Sequence, residues 1–489
     1  MNRLIAFGAA LLLGMPGAAV AQDQLKPETL KAAAAFQAAF RSKDCAAGLA
    51  PARTIIADPG LQDSKRVQLY HYLVACEDQL GRDADAYQDV LKATGLLDAN
   101  EDVWQIRFRL EMKAANYPAA VATIEQLAQE SPSILSSFDP RWLGSFYYML
   151  DQAKQDALSM RVLKVLSTAY VPADPAMDVD GFRAMYASRL IGQHKQAEAR
   201  PILDRITHLA PLIAIALDKD SRDLRAPVDF AALAHQQLLD DQAALAANPQ
   251  SLGALMAVSQ DLRRLGRYQA ALELLNTAKD RVNDPTAFRD RAQYINWWWN
   301  QRAEIYEYLG DYPHMLESFQ AGIAAGENGG ANVSQLLNLA EAQVRFGRYD
   351  EALATLAPAE KGARSPYGTM IYYQTHGCAA FKAGKKDVAA TDVAYVRAHE
   401  KDASGAAQTL LTCVGDIDGA VAVLIRRLDD SNQRVAALRD LSNYTPDPAT
   451  RPLFPGEEKL EQIKARPDVK AAIARAGGLV TFPFQGGVM

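Results

Sequence analysis

The chain has 489 residues, 49% of them hydrophobic, with 52 Lys and Arg against 58 Asp and Glu and a formal charge of −6. That mildly acidic balance, with no basic run, excludes a nucleic-acid binder or a protein held on an anionic membrane surface. The length exceeds the usual single domain, so two domains or one extended array are expected.

The chain begins "MNRLIAFGAALLLGMPGAAVA". Arg3 precedes an apolar run from Leu4 to about Leu13, and "AVA" at 19–21 offers small residues before Gln22. This is the layout of a secretory signal peptide cleaved after Ala21, with a run shorter than the roughly 20 residues that span a bilayer. No Cys follows the small residues, so a lipid anchor is not expected, and no later stretch is apolar enough to cross a membrane. The expected location is the periplasm.

Beyond residue 30 a pattern recurs. One copy carries Tyr70, Leu73, Gly81, Ala86, Val90 and Ala93, and the next carries Trp104, Tyr117, Ala120 and Ile124 before closing at Pro132. The pattern weakens through 135–215, where a turn is read at Gly192 ahead of "QHKQAEARPIL". The charged stretch "LDKDSRDLRAPVDF" at 217–230 is read as a boundary. The pattern then returns in "LRRLGRYQAALELL", "EYLGDYPHMLESF", "VRFGRYDEALATL" and "FKAGKKDVAATDV", with turn glycines Gly266, Gly310, Gly347 and Gly384, and Gly415 after them. The longest interval, 44 residues, is attributed to an insertion, "NDPTAFRDRAQY" at 283–294. After about residue 430 come a Pro-rich connector, two short helices in "EKLEQIKA" and "DVKAAIARA", and a closing "LVTFPFQGGVM".

Each unit has an apolar helix end, a Gly, usually a Tyr, then a helix with small and large apolar residues at helical spacing. Small residues such as Ala86, Ala120, Ala271 and Ala352 let two antiparallel helices approach closely, and Gly ends the first helix. No single hairpin buries both its faces, so hairpins stack and the last one needs a cap.

This recurring set resembles the tetratricopeptide repeat, and the resemblance covers most of 30–430. It implies an all-α fold of helix-turn-helix repeats stacked in an α-solenoid superhelix with a concave groove. The expected organisation is a signal peptide at 1–21, degenerate repeats at 22–216, a connector and helix at 217–245, the main array at 246–430, and a capping tail at 431–489. The four cysteines, Cys45, Cys76, Cys378 and Cys413, are even in number in an exported chain, which favours disulfides. Of three possible pairings, Cys45–Cys76 and Cys378–Cys413 are expected if neighbours in sequence are neighbours in the stack.

Three of the five tryptophans are consecutive, at 297–299. Successive helix residues point about 100° apart, so the three rings face different surroundings. Trp299 matches the aromatic position inside the hairpin, Trp298 faces a neighbouring helix or the insertion, and Trp297 falls where the resemblance implies a groove-lining residue. The stripe of Trp297 continues through Asn300, Gln301, Glu304 and Tyr308. Its neighbours are Gln260, Arg263 and Arg264 on one side and Asn338, Glu341 and Arg345 on the other. Trp297, Asn300, Glu304, Gln260, Arg263, Asn338, Glu341 and Arg345 are the candidate partner-binding residues, with Trp297 and the arginines as anchors. The paired Lys and Asn pattern by which some members of the family clamp a terminal carboxylate is absent.

No nucleophile elbow, phosphate loop, dinucleotide fingerprint or zinc-protease helix occurs. "GENGGAN" at 326–332 reads as an inter-repeat loop, and the seven histidines show no metal spacing. His376 with Tyr372 and Tyr373 is the nearest approach to a reactive cluster. No cofactor and no metal are expected. The expected function is a non-catalytic periplasmic adaptor binding a peptide segment or envelope protein, with self-association an option. The alternative is a glycan-binding or glycan-cleaving helical protein using Trp297–Trp299 as a sugar platform.

Overall fold

The computed structural model describes residues 26–173, 179–326, 332–359, 365–445 and 452–485. The signal-peptide segment 1–21 lies outside the described residues. The fold is the all-α array of helical hairpins that the resemblance implies; among the described residues the only strands are the two-residue pair Asn443–Tyr444 and Thr481–Phe482, which run parallel. The chain divides into two compact units between Arg189 and Leu190. That division falls ahead of the charged stretch 217–230.

In the first unit the hairpins are Pro27–Ser42 with Cys45–Ile56, Asp63–Gln79 with Asp83–Thr94, Glu101–Lys113 with Tyr117–Glu130, and Pro140–Gln152 with Asp156–Thr168. In the second they include Leu252–Arg264 with Tyr268–Asn276, Arg291–Tyr308 with Tyr312–Ala324, Val333–Arg345 with Tyr349–Leu356, Pro366–Lys382 with Lys386–Ala398, and Ser404–Cys413 with Ile417–Asp429. Every one of these turns has one residue at positive φ followed by a backbone N–H that reaches back five residues, as Arg267 N does to Leu262 O at 2.8 Å and Asp416 N to Leu411 O at 2.9 Å. That six-to-one bond satisfies a helix-end carbonyl and forces the left-handed residue. Glycine takes the position at Gly81, Gly266, Gly310, Gly347, Gly384 and Gly415, but Lys43, Ala115, Lys154 and His194 take it elsewhere. The turn read at Gly192 is therefore corrected: Gly192 ends its helix and His194, at φ 60°, makes the turn. The non-glycine turns explain why the pattern fades through 135–215.

The small residue predicted after each turn performs the expected packing: Ala86, Ala120, Ala271 and Ala352 are all fully buried. Cys45–Cys76 and Cys378–Cys413 are both bonded, with Cα atoms 5.1 and 5.8 Å apart, each joining neighbouring hairpins. The insertion at 283–294 is not a loose excursion. Its last four residues begin the Arg291–Tyr308 helix, and Asp290 accepts from Leu252 N (2.8 Å), Gly253 N (3.1 Å) and Ser251 Oγ (2.7 Å). A carboxylate there satisfies orphan donors at the N-terminus of the Leu252–Arg264 helix.

The second unit departs from an open stack. Its helix Leu209–Leu217, in the early part of the unit, shares a core with Val421, Leu424, Leu428, Leu438 and Ile473 near the other end. Phe482 and Phe484, at 0% and 1% exposure, pack into that core, with Phe482 and Phe230 edge-to-face at 5.1 Å. Arg222 Nη1 donates to Gly477 O at 2.5 Å, Lys219 Nζ to Arg475 O at 2.9 Å, and Arg434 pairs with Asp220 at 3.0 Å. The end of the array thus returns to its beginning. The expected free inner face is partly covered by the tail of the same chain.

Peptide mapping of non-reduced protein should recover Cys45 linked to Cys76 and Cys378 linked to Cys413, with no thiol reacting in denaturant until a reductant is added. A crossed pair such as Cys45–Cys378 would refute the stacking order.

Candidate functional site

The predicted stripe is one face, and it is a hydrogen-bonded ladder. Arg263 pairs with Glu304, Asn300 Nδ2 donates to Glu304 Oε1 at 2.6 Å, and Asn338 Nδ2 donates to Asn300 Oδ1 at 2.7 Å. Arg345 donates to Glu307 at 3.0 Å and to Glu341 at 2.6 Å. Three successive hairpins are laced together in this way by residues of the expected stripe, with Glu307 joining from outside it. Arg263 and Asn300 are buried, at 5% and 6% exposure, and Gln260, Glu304, Asn338, Glu341 and Arg345 are half-buried. Such groups inside a fold need partners, and here they supply most of one another's, with Arg263 Nε and Arg345 Nε left without one among the described residues. Gln301 Nε2 is likewise committed to Met256 O at 3.1 Å, and Tyr308 stacks on Tyr268 with ring centres 5.2 Å apart.

The tryptophans separate as the 100° rule demands. Trp298 is fully buried, Trp299 nearly so, and the two rings meet edge-to-face at 4.6 Å. Trp297 is 44% exposed, one turn from Asn300. A flat platform of three rings for a sugar does not form, because two of the rings are core.

The tail meets this same face. Gln485 N donates to Arg264 O at 2.8 Å, and Tyr268 Oη donates to Gln485 Oε1 at 2.6 Å. The Arg345 guanidinium stands 5.9 Å from the centre of the Phe454 ring. Burial opposes the Arg345 charge, but Glu341, Glu307 and Glu457 outweigh it and hold the guanidinium more firmly protonated than usual. Gly456, at φ +103°, lies so close to the Ser404–Cys413 helix that a Cβ would stand 2.9 Å from Thr412 Cγ2 and 3.0 Å from its carbonyl carbon. Only glycine fits that approach.

Where the tail spans the inner face it leaves a groove of about 990 Å³. Tyr367, Ile371 and Gln374 line one wall, Gln408, Thr409 and Thr412 the next, Arg427, Arg439 and Asp440 the end, and Leu453, Phe454 and Lys464 the tail side. Sequence reading missed these residues because it stopped at Arg345. The signal was present: Gln374 stands ten residues before Gly384, as Asn300 stands ten before Gly310.

His376 Nδ1 lies 2.7 Å from Asp392 Oδ2, and its ring stacks on Tyr372 at 5.4 Å, within the Pro366–Ala398 hairpin and not in the groove lining. Among the described residues no group of three His, Cys, Asp or Glu could hold a metal, and no helix is long and apolar enough to cross a membrane.

Beside the ladder, burial pushes the Asp261 carboxyl up to about 7; Arg264 opposes the shift and Asp241 adds to it. Asp261 is 2% exposed and accepts from Gln237 Nε2 at 3.1 Å.

No family model matches the chain, and no curated protein matches it. Among solved structures the chain is similar to yeast Tom70, at 13% identity and a TM-score of 0.33, over 91% of this chain and 99% of that one. It is also similar to the APC/C hetero-tetramer Cut9-Hcn1, at 11% identity and a TM-score of 0.29, over 94% and 98%.

Below its ordinary value of 3.8 the Asp261 carboxyl is protonated whether the chain is folded or not; between there and about 7 only the folded chain keeps the proton. The stabilisation from that retained proton is complete below the unfolded value and is lost as pH rises through the folded one. Urea unfolding across this window should show wild type losing stability relative to Asp261→Asn as pH rises. A constant gap between the two would contradict the assignment.

Proposed function

We propose that this protein is a non-catalytic scaffold of the cell envelope. It holds a segment of another envelope protein against the inner face of its second unit. The observation that carries this reading is the groove of about 990 Å³, walled by helices of adjacent hairpins on a preformed surface. A rigid array presents such a surface with little ordering cost on binding, which is where affinity for a flexible segment is gained.

The export layout of residues 1–21 and the two bonded cysteine pairs support an oxidising compartment, and the periplasm is the proposed location. Trp297 is the exposed aromatic of the original stripe, and a half-exposed indole is a suitable anchor at an edge of the binding face.

The experiment is photo-crosslinking in cells, with the reactive amino acid placed at position 297 or at position 367. Discrete adducts to an envelope protein are expected at one or both positions. Adducts only to further copies of this chain, or none, would overturn the reading. Stability measurements separate the tryptophans: Trp298→Ala should cost about 3–5 kcal/mol in chemical denaturation, and Trp297→Ala within about 0.5 kcal/mol of zero while reducing partner capture. A large fall in melting temperature for Trp297→Ala would return that ring to a structural role.

A further inference from the structure

The second hairpin of the first unit, Asp63–Gln79 with Asp83–Thr94, buries two carboxylates at one guanidinium. Glu77 is 0% exposed and Asp89 1%. Arg53, on the Cys45–Ile56 helix of the preceding hairpin, pairs through Nη2 with Glu77 Oε1, and the same nitrogen lies 2.9 Å from Asp89 Oδ2. Lys92 Nζ meets Asp89 Oδ1 at 2.9 Å. Glu77 Oε2 accepts no hydrogen bond among the described residues. An ionised carboxylate so placed has given up water on that oxygen and gained nothing for it.

The next hairpin holds the same acid with its needs met. Glu111 stands 34 residues after Glu77, and each lies four residues before the left-handed turn residue, Ala115 and Gly81. Glu111 is equally buried, but Arg107 Nε donates to its Oε1 at 3.0 Å and Thr123 Oγ1 to its Oε2 at 2.8 Å. Twelve residues separate Glu111 from Thr123, and twelve separate Glu77 from Asp89. Where one hairpin puts a donor, the other puts a second acid.

We propose that Glu77 and Asp89 form a proton-controlled latch, which keeps this hairpin closed in acid and lets it open locally as pH rises. With Glu77 protonated the two acids carry one negative charge, and without that proton they carry two. Burial first, then the Asp89 charge, pushes the Glu77 carboxyl up to about 7; Arg53 opposes the shift and Asp85 adds to it. The opposing cations are weakened by water, since the Arg53 and Lys92 side chains are 44% and 57% exposed. Tyr70, on the helix of Glu77, adds no charge, because burial raises its phenol further above neutrality. Helix Glu101–Lys113 packs on both helices of the hairpin, but its cations are engaged: Arg107 by Glu111, Arg109 by Asp78, and Lys113 by Asp78 and Asp83. Cys76, next to Glu77, is bonded to Cys45, so the opened hairpin stays tethered to its neighbour. The latch stands independently of the scaffold reading.

The proton's contribution to stability is whole below the ordinary glutamate value of 4.5 and disappears as pH climbs through about 7. The test is hydrogen exchange on the full mature chain from about pH 5 to about pH 8, corrected for the intrinsic pH dependence of exchange. Protection of Asp63–Gln79 and Asp83–Thr94 should fall at least about tenfold across that range, while that of Pro366–Lys382 stays level. Glu77→Gln, which fixes the neutral form, should abolish the fall. Asp89→Thr should abolish it too, and it copies a pair that the next hairpin already folds around. A flat wild-type profile, a fall that survives Asp89→Thr, or an equal fall in Pro366–Lys382 would each overturn the latch.

Discussion

The second unit depends on a return contact. Phe482 and Phe484 leave the last helix of the chain and enter a core begun by Leu209, Ile213 and Leu217. Hairpin arrays expose an apolar face at each end, and that face is costly unless covered. Here the two end faces are brought against the same helices, Arg434–Leu441 and Pro467–Ala476, so each covers the other's deficit. Everything on the inner side follows from that closure. The tail must cross the inner face to reach its core, Gly456 must be glycine where it crosses, and the space it fails to fill becomes the groove.

Closure also divides the polar residues of the inner face into two classes. Along Leu252–Arg345 the ladder of Arg263, Glu304, Asn300, Asn338 and Arg345 pairs its members with one another and with Glu307 and Glu341, leaving Arg263 Nε and Arg345 Nε without a partner among the described residues, and helps fix the spacing of three hairpins. Removing one member would leave another buried and unpaired, which makes such residues structural whatever else they touch. Beyond Arg345 the position that corresponds to Asn300 is Gln374, which lines the groove. The same helical phase thus yields a lacing at one end of the array and a wall of the groove at the other.

Much of the fold was legible from residues. Gly310, Gly347, Gly384 and Gly415 marked turns because a left-handed residue favours glycine, and Ala271 and Ala352 marked close helix approach. Where Lys43, Ala115, Lys154 and His194 occupy the same conformation the signal was silent, although the backbone does the same thing. The two cysteine pairs followed from repeat spacing, and the three fates of Trp297, Trp298 and Trp299 from helical phase together with the positions the resemblance implies. The return of the tail did not. "LVTFPFQ" carries no period that says which core it joins, and contacts between residues 268 and 485 are set by where the array ends. The ladder was located but not its internal bonding, since charge and amide content do not distinguish a bonded side chain from an available one.

Hydrogen exchange on the intact chain and on a chain ending at Gly478 tests the closure most directly. Amides of Leu209–Leu217 and Arg434–Leu441 should lose protection together when the tail is removed, while those of Glu101–Lys113 in the first unit keep theirs. Undiminished protection of Leu209–Leu217 in the shortened chain would contradict the account, because the start of the unit would then be held by something other than its end.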